Sequence, residues 1–229
     1  MKLAISVTAA LLAASGAAQA SLEFKGVQDL NGTGLGAVQT VLTLHATGGG
    51  DTAMGSVGVG VGNTMQTTGD ALTGASQTQL LSFGDAGIRD LSALRVVFNA
   101  AEPGNSAANG IELNNLMLSF YDPSGNQVFS SGVFSPQSYD ATFTGVGKAG
   151  FLFGLDATQT AAAQAALGPS FSGYRIGLSA SVAQATGGPE TFYLSNAVVA
   201  APVPEPSSYA LTLMGMIAVG GFVLRRRRG

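Results

Sequence analysis

Strict alternation of apolar and polar residues is the feature of this sequence that most constrains its fold. Over residues 174–182 every second residue is apolar, and the residues between them are arginine, glycine or serine. A period of two is typical of a β-strand that buries one face and exposes the other. The same period recurs at residues 94–99 and 151–155, with Leu94 and Phe98 expected to point inward. The alternation therefore predicts a chain built mainly of antiparallel strands.

A turn sequence between two predicted strands indicates a hairpin. Pro123 stands where a type I turn favours proline, and Gly125 stands where the backbone must enter the left-handed region. We therefore predict that residues 116–121 and 127–131 pair as a hairpin. Within the first of these strands the apolar residues change parity, which predicts a β-bulge at residues 114–115.

One helix is predicted within this β-rich region. Asp156 and Gln159 have the spacing of a capping box, in which each side chain bonds the other's backbone N–H. They precede the alanine-rich segment 157–167, which Gly168 and Pro169 end. We expect this helix to connect two strands or to cover the edge of a sheet.

The number and spacing of the strands indicate the architecture. About nine or ten strands are separated by turn signals at the intervals typical of all-β domains, and no repeat of fixed period is present. We therefore predict an antiparallel β-sandwich over residues 21–200, of which a jelly roll is one form. A charged fraction of 10% and thirty-three glycines fit an extracellular domain with many turns. The sequence has no cysteine, which excludes disulfides and cysteine nucleophiles.

Alternating glycine and valine at residues 55–62 allow two interpretations. Val57, Val59 and Val61 would share one face of a strand, and the glycines would form the other face. Such a bare face lets another sheet or loop approach closely. The alternative is a flat platform for a sugar ring or a partner strand.

The first twenty residues have the three parts of a secretory signal peptide. Lys2 supplies the positive start, and residues 3–14 form an apolar run. Ala18 and Ala20 provide the small residues of a cleavage box. We predict that residues 1–20 are removed and that the mature chain begins at Ser21.

The last residues of the sequence contain an apolar run followed by a basic cluster, the arrangement typical of a membrane anchor. Residues 209–224 contain neither charge nor proline, so a helix there can satisfy its backbone groups inside a bilayer. At roughly 1.5 Å per residue this run spans about 24 Å, which is short for a hydrocarbon core of about 30 Å. A basic cluster within residues 225–229 follows and is expected on the cytoplasmic side. The cluster comprises Arg225, Arg226, Arg227 and Arg228.

A proline-containing linker, residues 201–208, precedes this span and carries a recognisable motif. Pro204, Glu205 and Pro206, followed by a short apolar run and terminal arginines, resemble the PEP-CTERM sorting signal of Gram-negative bacteria. The resemblance implies recognition by an exosortase, a membrane-embedded transpeptidase that cuts near the Pro-Glu-Pro. It also implies transient residence in the inner membrane with the domain in the periplasm, then transfer to the cell surface or extracellular matrix. The residues alone also fit a plain single-pass anchor.

Charge and composition disfavour several classes of function. Residues 21–202 carry five basic and twelve acidic side chains, a net charge of −7, which disfavours binding to nucleic acid. The one histidine, His45, falls on the threonine face of a predicted strand, and no nucleophile elbow is present. No sequence feature brings two of Glu102, Glu112 and Glu190 together as a glycosidase pair. We therefore predict no enzyme activity, no catalytic residue and no cofactor.

Three aspartates invite comparison with a calcium site, since carboxylate oxygens in surface loops suit that ion. Asp85 and Asp90 flank Arg89 in a polar loop, and Asp122 opens the predicted hairpin turn. Asp85 and Asp90 lack the register of a calcium-binding loop. Asp122, Ser124 and Asn126 superficially resemble calcium-loop spacing, but the predicted turn accounts for all three. We expect turn capping or local salt bridging at these positions, and we predict no metal site.

Two classes of function remain. The first is a structural protein of the surface or matrix, sorted outward and associated with exopolysaccharide or biofilm. The second is a carbohydrate- or ligand-binding module held at the cell surface, with a binding face built from tyrosines. The candidate tyrosines are Tyr121, Tyr139, Tyr174 and Tyr193.

Overall fold

The described part of the chain is mainly β. The computed structural model describes residues 21–29, 39–47, 50–102, 110–140 and 149–196, all within the first of two compact units, Met1–Asn196 and Ala197–Gly229. Among these residues it contains twelve strands and one α-helix, α1 (Ala157–Leu167). The strands are β1 (Glu23–Asp29), β2 (Gln39–Leu44), β3 (Ala53–Val59), β4 (Met65–Gly69), β5 (Leu81–Ser82), β6 (Leu94–Ala100), β7 (Ile111–Tyr121), β8 (Gln127–Ser130), β9 (Gln137–Tyr139), β10 (Ala149–Gly154), β11 (Arg175–Ala183) and β12 (Glu190–Asn196).

The strands form two antiparallel sheets. The five-stranded sheet has the order β1-β10-β6-β12-β2. The seven-stranded sheet has the order β4-β3-β11-β7-β8, with β5 paired to β11 and β9 paired to β7. From β2 onward the chain passes repeatedly between the two sheets, so most neighbouring strands are distant in sequence.

A single large core cluster takes side chains from both sheets. Its aromatic rings interlock: Phe98 stacks on Phe192 with ring centroids 4.7 Å apart and lies 5.9 Å from Phe151. Burying a side chain of this size stabilises a fold by about 1.5–3 kcal/mol relative to leaving it exposed. The phenylalanines that are at most 1% exposed are Phe83, Phe98, Phe120, Phe151, Phe153 and Phe192.

The predicted hairpin and bulge are confirmed. β7 and β8 pair antiparallel, and Asp122 Oδ1 accepts the backbone N–H groups of Ser124 and Asn126, each at 2.9 Å. Gly125 has φ 92°, in the left-handed region where glycine is favoured. Against β11, the register of β7 shifts between the pairs at residues 113 and 115, which leaves Asn114 as the extra residue.

The predicted helix and its capping box are also confirmed. Asp156 Oδ1 accepts the backbone N–H of Gln159 at 2.7 Å, and Gln159 Oε1 accepts that of Asp156 at 3.3 Å. Gly168 follows the helix with φ 70°. Inside the protein, Gln159 Nε2 donates to the carbonyl of Ser131 at 2.6 Å. The helix thus connects β10 to β11 and packs beside β8.

The valine-glycine stretch is only partly a strand. β3 ends at Val59, and residues 61–63 form a 3-10 turn in which Gly62 has φ 72°. Gly60 N–H donates to the carbonyl of Thr64 at 2.8 Å, which closes the connection to β4. Val61 is therefore 97% exposed, and the prediction that it shares a strand face with Val57 is wrong.

The terminal predictions lie outside the described residues. They concern the signal peptide at 1–20 with Ala18 and Ala20, the linker at 201–208, the apolar run at 209–224 and the basic end at 225–229. Among the residues that the structure does describe, no helix has the length and apolar character needed to cross a membrane.

Candidate functional site

An open groove crosses the face of the seven-stranded sheet that points away from the core. We call it the serine groove. It consists of two adjoining depressions of about 320 and 580 Å³, which share Ser56, Thr68 and Ser179 in their walls. It runs across β4, β3, β11 and β7.

Strand register explains why this face is hollow. Thr68 pairs with Ser56, Ser56 with Ser179, and Ser179 with Met117, so that short hydroxyl side chains lie side by side across three strands. Ser56 Oγ lies 2.8 Å from Thr68 Oγ1. Alternation places Val57, Leu178 and their neighbours on the opposite, buried face. The period-two pattern read in the sequence therefore produces both the core and the groove.

A tyrosine ring lies over two glycines at one end of the groove. A Cβ on Gly58 would lie 2.9 Å from Tyr121 Oη, and a Cβ on Gly177 would lie 2.8 Å from Tyr121 Cε2. The bare glycine face thus admits a side chain from another strand of the same sheet, instead of the separate sheet or loop that one of the two interpretations predicted. Tyr121 remains half-buried in the wall of the groove.

The β-bulge supplies amide groups at the other end. Because Asn114 is the extra residue of the bulge, it and Asn115 both line the depression instead of pointing to opposite faces. Across the sheet they meet Ser181 and Met54. This end of the groove combines amides, a hydroxyl and a thioether.

The chemistry of the groove is uncharged throughout. Its lining consists of serine, threonine, asparagine, glutamine, glycine, one tyrosine and apolar residues. Such groups donate and accept hydrogen bonds without attracting an ionic ligand. Among the described residues that line it, none is a carboxylate or imidazole that could perform general acid–base chemistry. The groove is therefore suited to binding a neutral polar ligand.

The predicted face of four tyrosines is wrong. Tyr139 is 9% exposed and packs in the core, with its ring centroid 4.5 Å from that of Phe151. Tyr193 is buried on the five-stranded sheet beside Val97, where burial raises its pKa to about 12. Tyr174 packs against the core cluster. Tyr121, Tyr139 and Tyr193 lie on different strands and Tyr174 precedes β11, so of the four only Tyr121 lines the groove.

The other candidate residues are placed in turns. His45 is exposed directly after β2. Asp85 Oδ2 accepts a hydrogen bond from the Ser82 hydroxyl at 2.7 Å, and Asp90 Oδ1 accepts one from the backbone N–H of Ser92 at 2.8 Å. Both aspartates therefore cap turns, as the sequence predicted. Hydrogen bonds, first from the Asn126 side chain, lower the pKa of Asp122. Within the described ranges, no three acidic or histidine side chains gather into a group that could hold a metal ion.

The structure joins two glutamates that the sequence did not link. Glu190 Oε2 accepts a hydrogen bond from the backbone N–H of Ala101 at 2.8 Å. Glu102, which follows Ala101 in the sequence, accepts one from the Thr186 hydroxyl at 2.7 Å. Glu102 also accepts the N–H groups of Thr186 at 2.8 Å and Gly187 at 3.3 Å. Both carboxyl groups are buried, at 5% exposed for Glu102 and 1% for Glu190. Only the pairing of β6 with β12 brings them together.

Burial raises the pKa of Glu190 well above its usual range, and the neighbouring charge of Glu102 raises it further. A hydrogen bond from Ala101 N–H opposes the shift. Two buried carboxyl groups this close favour one neutral partner. The pair has no place in the lining of the groove, so we interpret it as a structural contact between β6, the turn at 184–189 and β12.

Comparison with known proteins identifies a sorting motif near the C-terminal end of the sequence. The family model of the PEP-CTERM protein-sorting motif matches residues 202–228. This stretch contains Pro204, Glu205, Pro206 and the four arginines of the basic cluster. Searches of curated proteins and of solved structures gave no match to the chain.

Proposed function

We propose, from the PEP-CTERM motif at residues 202–228, that the chain is a structural protein of the cell surface or extracellular matrix associated with exopolysaccharide or biofilm. The motif itself supports an exported protein that is held at a membrane and processed by an exosortase-type enzyme. The motif match is the single observation that carries the proposal. The association with exopolysaccharide or biofilm is the part of the proposal that goes beyond what the motif itself supports.

The described unit fits this route at both of its ends. Leu22 is 1% exposed and β1 begins at Glu23, so the folded domain starts directly after the proposed signal-peptide cleavage at Ser21. β12 ends at Asn196, and seven residues, 197–203, separate it from Pro204. The shared core of the two sheets supports a β-sandwich as the exported domain.

Replacing Pro204 and Pro206 together with alanine tests the sorting route. We expect the double variant to stay in the membrane with its arginine tail, because the processing enzyme no longer recognises the linker. The processed form should fall to a few per cent of wild type or less, which corresponds to a loss of roughly 2 kcal/mol or more in recognition. Cell fractionation with mass spectrometry of the C-terminus measures the outcome.

The neighbouring double change Ser207→Ala with Ser208→Ala is the matched control and should be processed like the wild type. Finding the wild-type protein intact in the mature envelope, with its arginines still attached, would reject sorting in favour of a plain anchor.

The serine groove favours a second candidate function, a surface module that binds a neutral polysaccharide. Hydroxyl and amide groups arranged along an open, uncharged channel match the hydrogen-bonding groups of such a chain. The tyrosine at one end offers a partial apolar surface for a sugar ring. This candidate does not compete with sorting, because the motif governs delivery and the groove governs binding.

Ser179→Gln tests the groove by filling the position that both depressions share. We expect this change to weaken binding of the full chain to the exopolysaccharide of its host by about tenfold or more, or about 1.4 kcal/mol. A pull-down with increasing polysaccharide measures it. Ser138→Gln, at an exposed serine of β9 outside the groove, is the control. Equal binding by both variants, or no binding by the wild type, would rule out the polysaccharide-binding function.

A further inference from the structure

Each of the two sheets ends in two edge strands, and unpaired edges are sites where sheets of different molecules join. The edges are β1 and β2 in the five-stranded sheet, and β4 on one side and β8 with β9 on the other side of the seven-stranded sheet. Natural proteins protect such edges with charges, bulges, prolines or covering segments. The four edges of this domain differ in that respect.

Both edges of the five-stranded sheet are protected. On β1, Lys25 forms an ion pair with Glu23, and the register against β10 shifts at Gly26, as a bulge requires. β2 is covered by the segment that follows β4. Leu72 N–H donates to the carbonyl of Thr43 at 2.9 Å, and Gln79 N–H donates to that of Val41 at 3.1 Å.

One edge of the seven-stranded sheet is protected and the other is open. α1 packs beside β8 and bonds the residue that follows it, Ser131. β4 has four exposed residues of five, and it contains no charge, proline or bulge. The whole hairpin of β3 and β4, residues 53–69, carries no charged side chain. Within the described part of the chain, β4 pairs only with β3.

Hydrogen-bond register identifies the free backbone groups of β4. Gly60 N–H donates to the carbonyl of Thr64, and Asp70 N–H donates to the carbonyl of Met54. These two bonds set the register, so every second residue pair forms its backbone hydrogen bonds between β3 and β4. In antiparallel strands the intervening residues point their N–H and C=O groups to the other side. Those of Met65 and Thr67 therefore face outward, away from β3.

We propose that two copies of this chain associate through β4, antiparallel, with the two-fold axis at Gln66. Met65 of each copy then lies opposite Thr67 of the other, and their free backbone groups form four hydrogen bonds. The contact is isologous, so it closes as a dimer and does not propagate. It joins the two seven-stranded sheets edge to edge and places both serine grooves on one continuous face.

Apolar exposure at this hairpin agrees with a partner of the same kind. Met65, on β4 itself, is 45% exposed, and Val61, in the turn before β4, is 97% exposed. Met65 points to the same side of the sheet as its pair partner Val59. In the proposed register both Met65 side chains lie on that side, next to the joint, and shield each other from water.

Charge does not oppose the contact. Asp70 is the nearest charged residue along the strand. In the proposed register the two copies of Asp70 are separated by about 26 Å, at roughly 3.3 Å per residue. This exceeds the screening length of about 8 Å at physiological salt, so their repulsion is small. Asp85 and Arg175, which line a depression together with Met65, carry opposite charges. A chain of net negative charge can therefore meet itself along β4.

The absence of cysteine from the sequence allows a direct test. Gln66→Cys places the introduced thiols of the two copies at the axis, in a non-hydrogen-bonded pair with Cα atoms about 4.5 Å apart, which suits a disulfide. We expect most of the purified full chain, kept in detergent and oxidised with glutathione disulfide, to run as a dimer on non-reducing gels. Reduction should return it to the monomer.

Two further variants set the controls. Thr68→Cys moves the thiols about 13 Å apart along the strands, out of disulfide range, and should stay monomeric. Thr67→Pro removes an outward N–H that β3 does not use, so in the Gln66→Cys background it should abolish the dimer while the thermal melting curve is kept. A monomeric Gln66→Cys chain overturns the proposal. So does cross-linking to a different protein, or equal cross-linking of Gln66→Cys and Thr68→Cys.

Discussion

Gly187→Ala should destabilise the domain strongly, whereas Gly188→Ala should leave it nearly unchanged. A Cβ on Gly187 would lie 1.9 Å from the carbonyl oxygen of Ala101 and 2.8 Å from its carbonyl carbon. Both atoms belong to the backbone, so relief requires moving the end of β6 or the turn. A Cβ on Gly188 would lie 3.6 Å from the Ala101 Cβ, an ordinary van der Waals contact.

The size of the effect follows from overpacking next to a buried contact. Forcing an atom into a filled site costs about 3 kcal/mol, which lowers the melting temperature of a domain of this size by about 6–12 °C. The change also displaces the Gly187 N–H that donates to Glu102. Thermal unfolding of the full chain followed by circular dichroism measures both variants. Similar melting temperatures for the two would mean that the turn does not pack against Ala101.

Glu190→Gln should stabilise the domain at neutral and alkaline pH and remove part of its pH dependence. Burial, with the adjacent charge of Glu102, raises the folded-state pKa of Glu190 above its ordinary value of 4.5. The stability that neutral Glu190 contributes is therefore fully present below about pH 4.5 and is lost as pH rises through the folded-state pKa. Glutamine keeps an acceptor for Ala101 N–H and cannot ionise.

Melting temperatures at several pH values between 4 and 9 test this expectation. Glu190→Gln should match the wild type near pH 4 and exceed it at pH 8, by about 2–4 °C for each kcal/mol gained. Glu112→Gln, the same change at a half-buried residue of β7, is the matched control and should not show the gain in melting temperature that we expect for Glu190→Gln. A variant that melts below the wild type at pH 8 while matching it near pH 4 would show that the Glu190 carboxylate is favourable in the fold.

Features that depend on a few consecutive residues could be predicted from the sequence. The hairpin turn needs Pro123 and Gly125, and the capping box needs Asp156 and Gln159. The bulge at Asn114 was visible as a change of parity within one strand. Backbone geometry is local in each case, so a short window contains all the groups that stabilise it.

Features that depend on strand pairing could not be predicted. Glu102 and Glu190 are far apart in sequence and meet only because β6 and β12 are neighbours. The serine groove needs Ser56, Ser179 and Thr68 in one row, which requires β11 to pair with the distant β3–β4 hairpin. The four tyrosines could be identified in the sequence, but the strand and face on which each lies depend on register.

By itself the sequence determined that the chain is β-rich and antiparallel, and that its end carries a sorting motif at residues 202–228. Both are patterns along the chain. The first is the alternation of side chains along each strand, and the second is a short motif that a processing enzyme recognises in one linker. Only the tertiary structure decided where the groove lies, which carboxyl groups share a buried site and which sheet edge is left open. Those properties arise from contacts between distant segments, whose free energies depend on the register and burial of the assembled sheets.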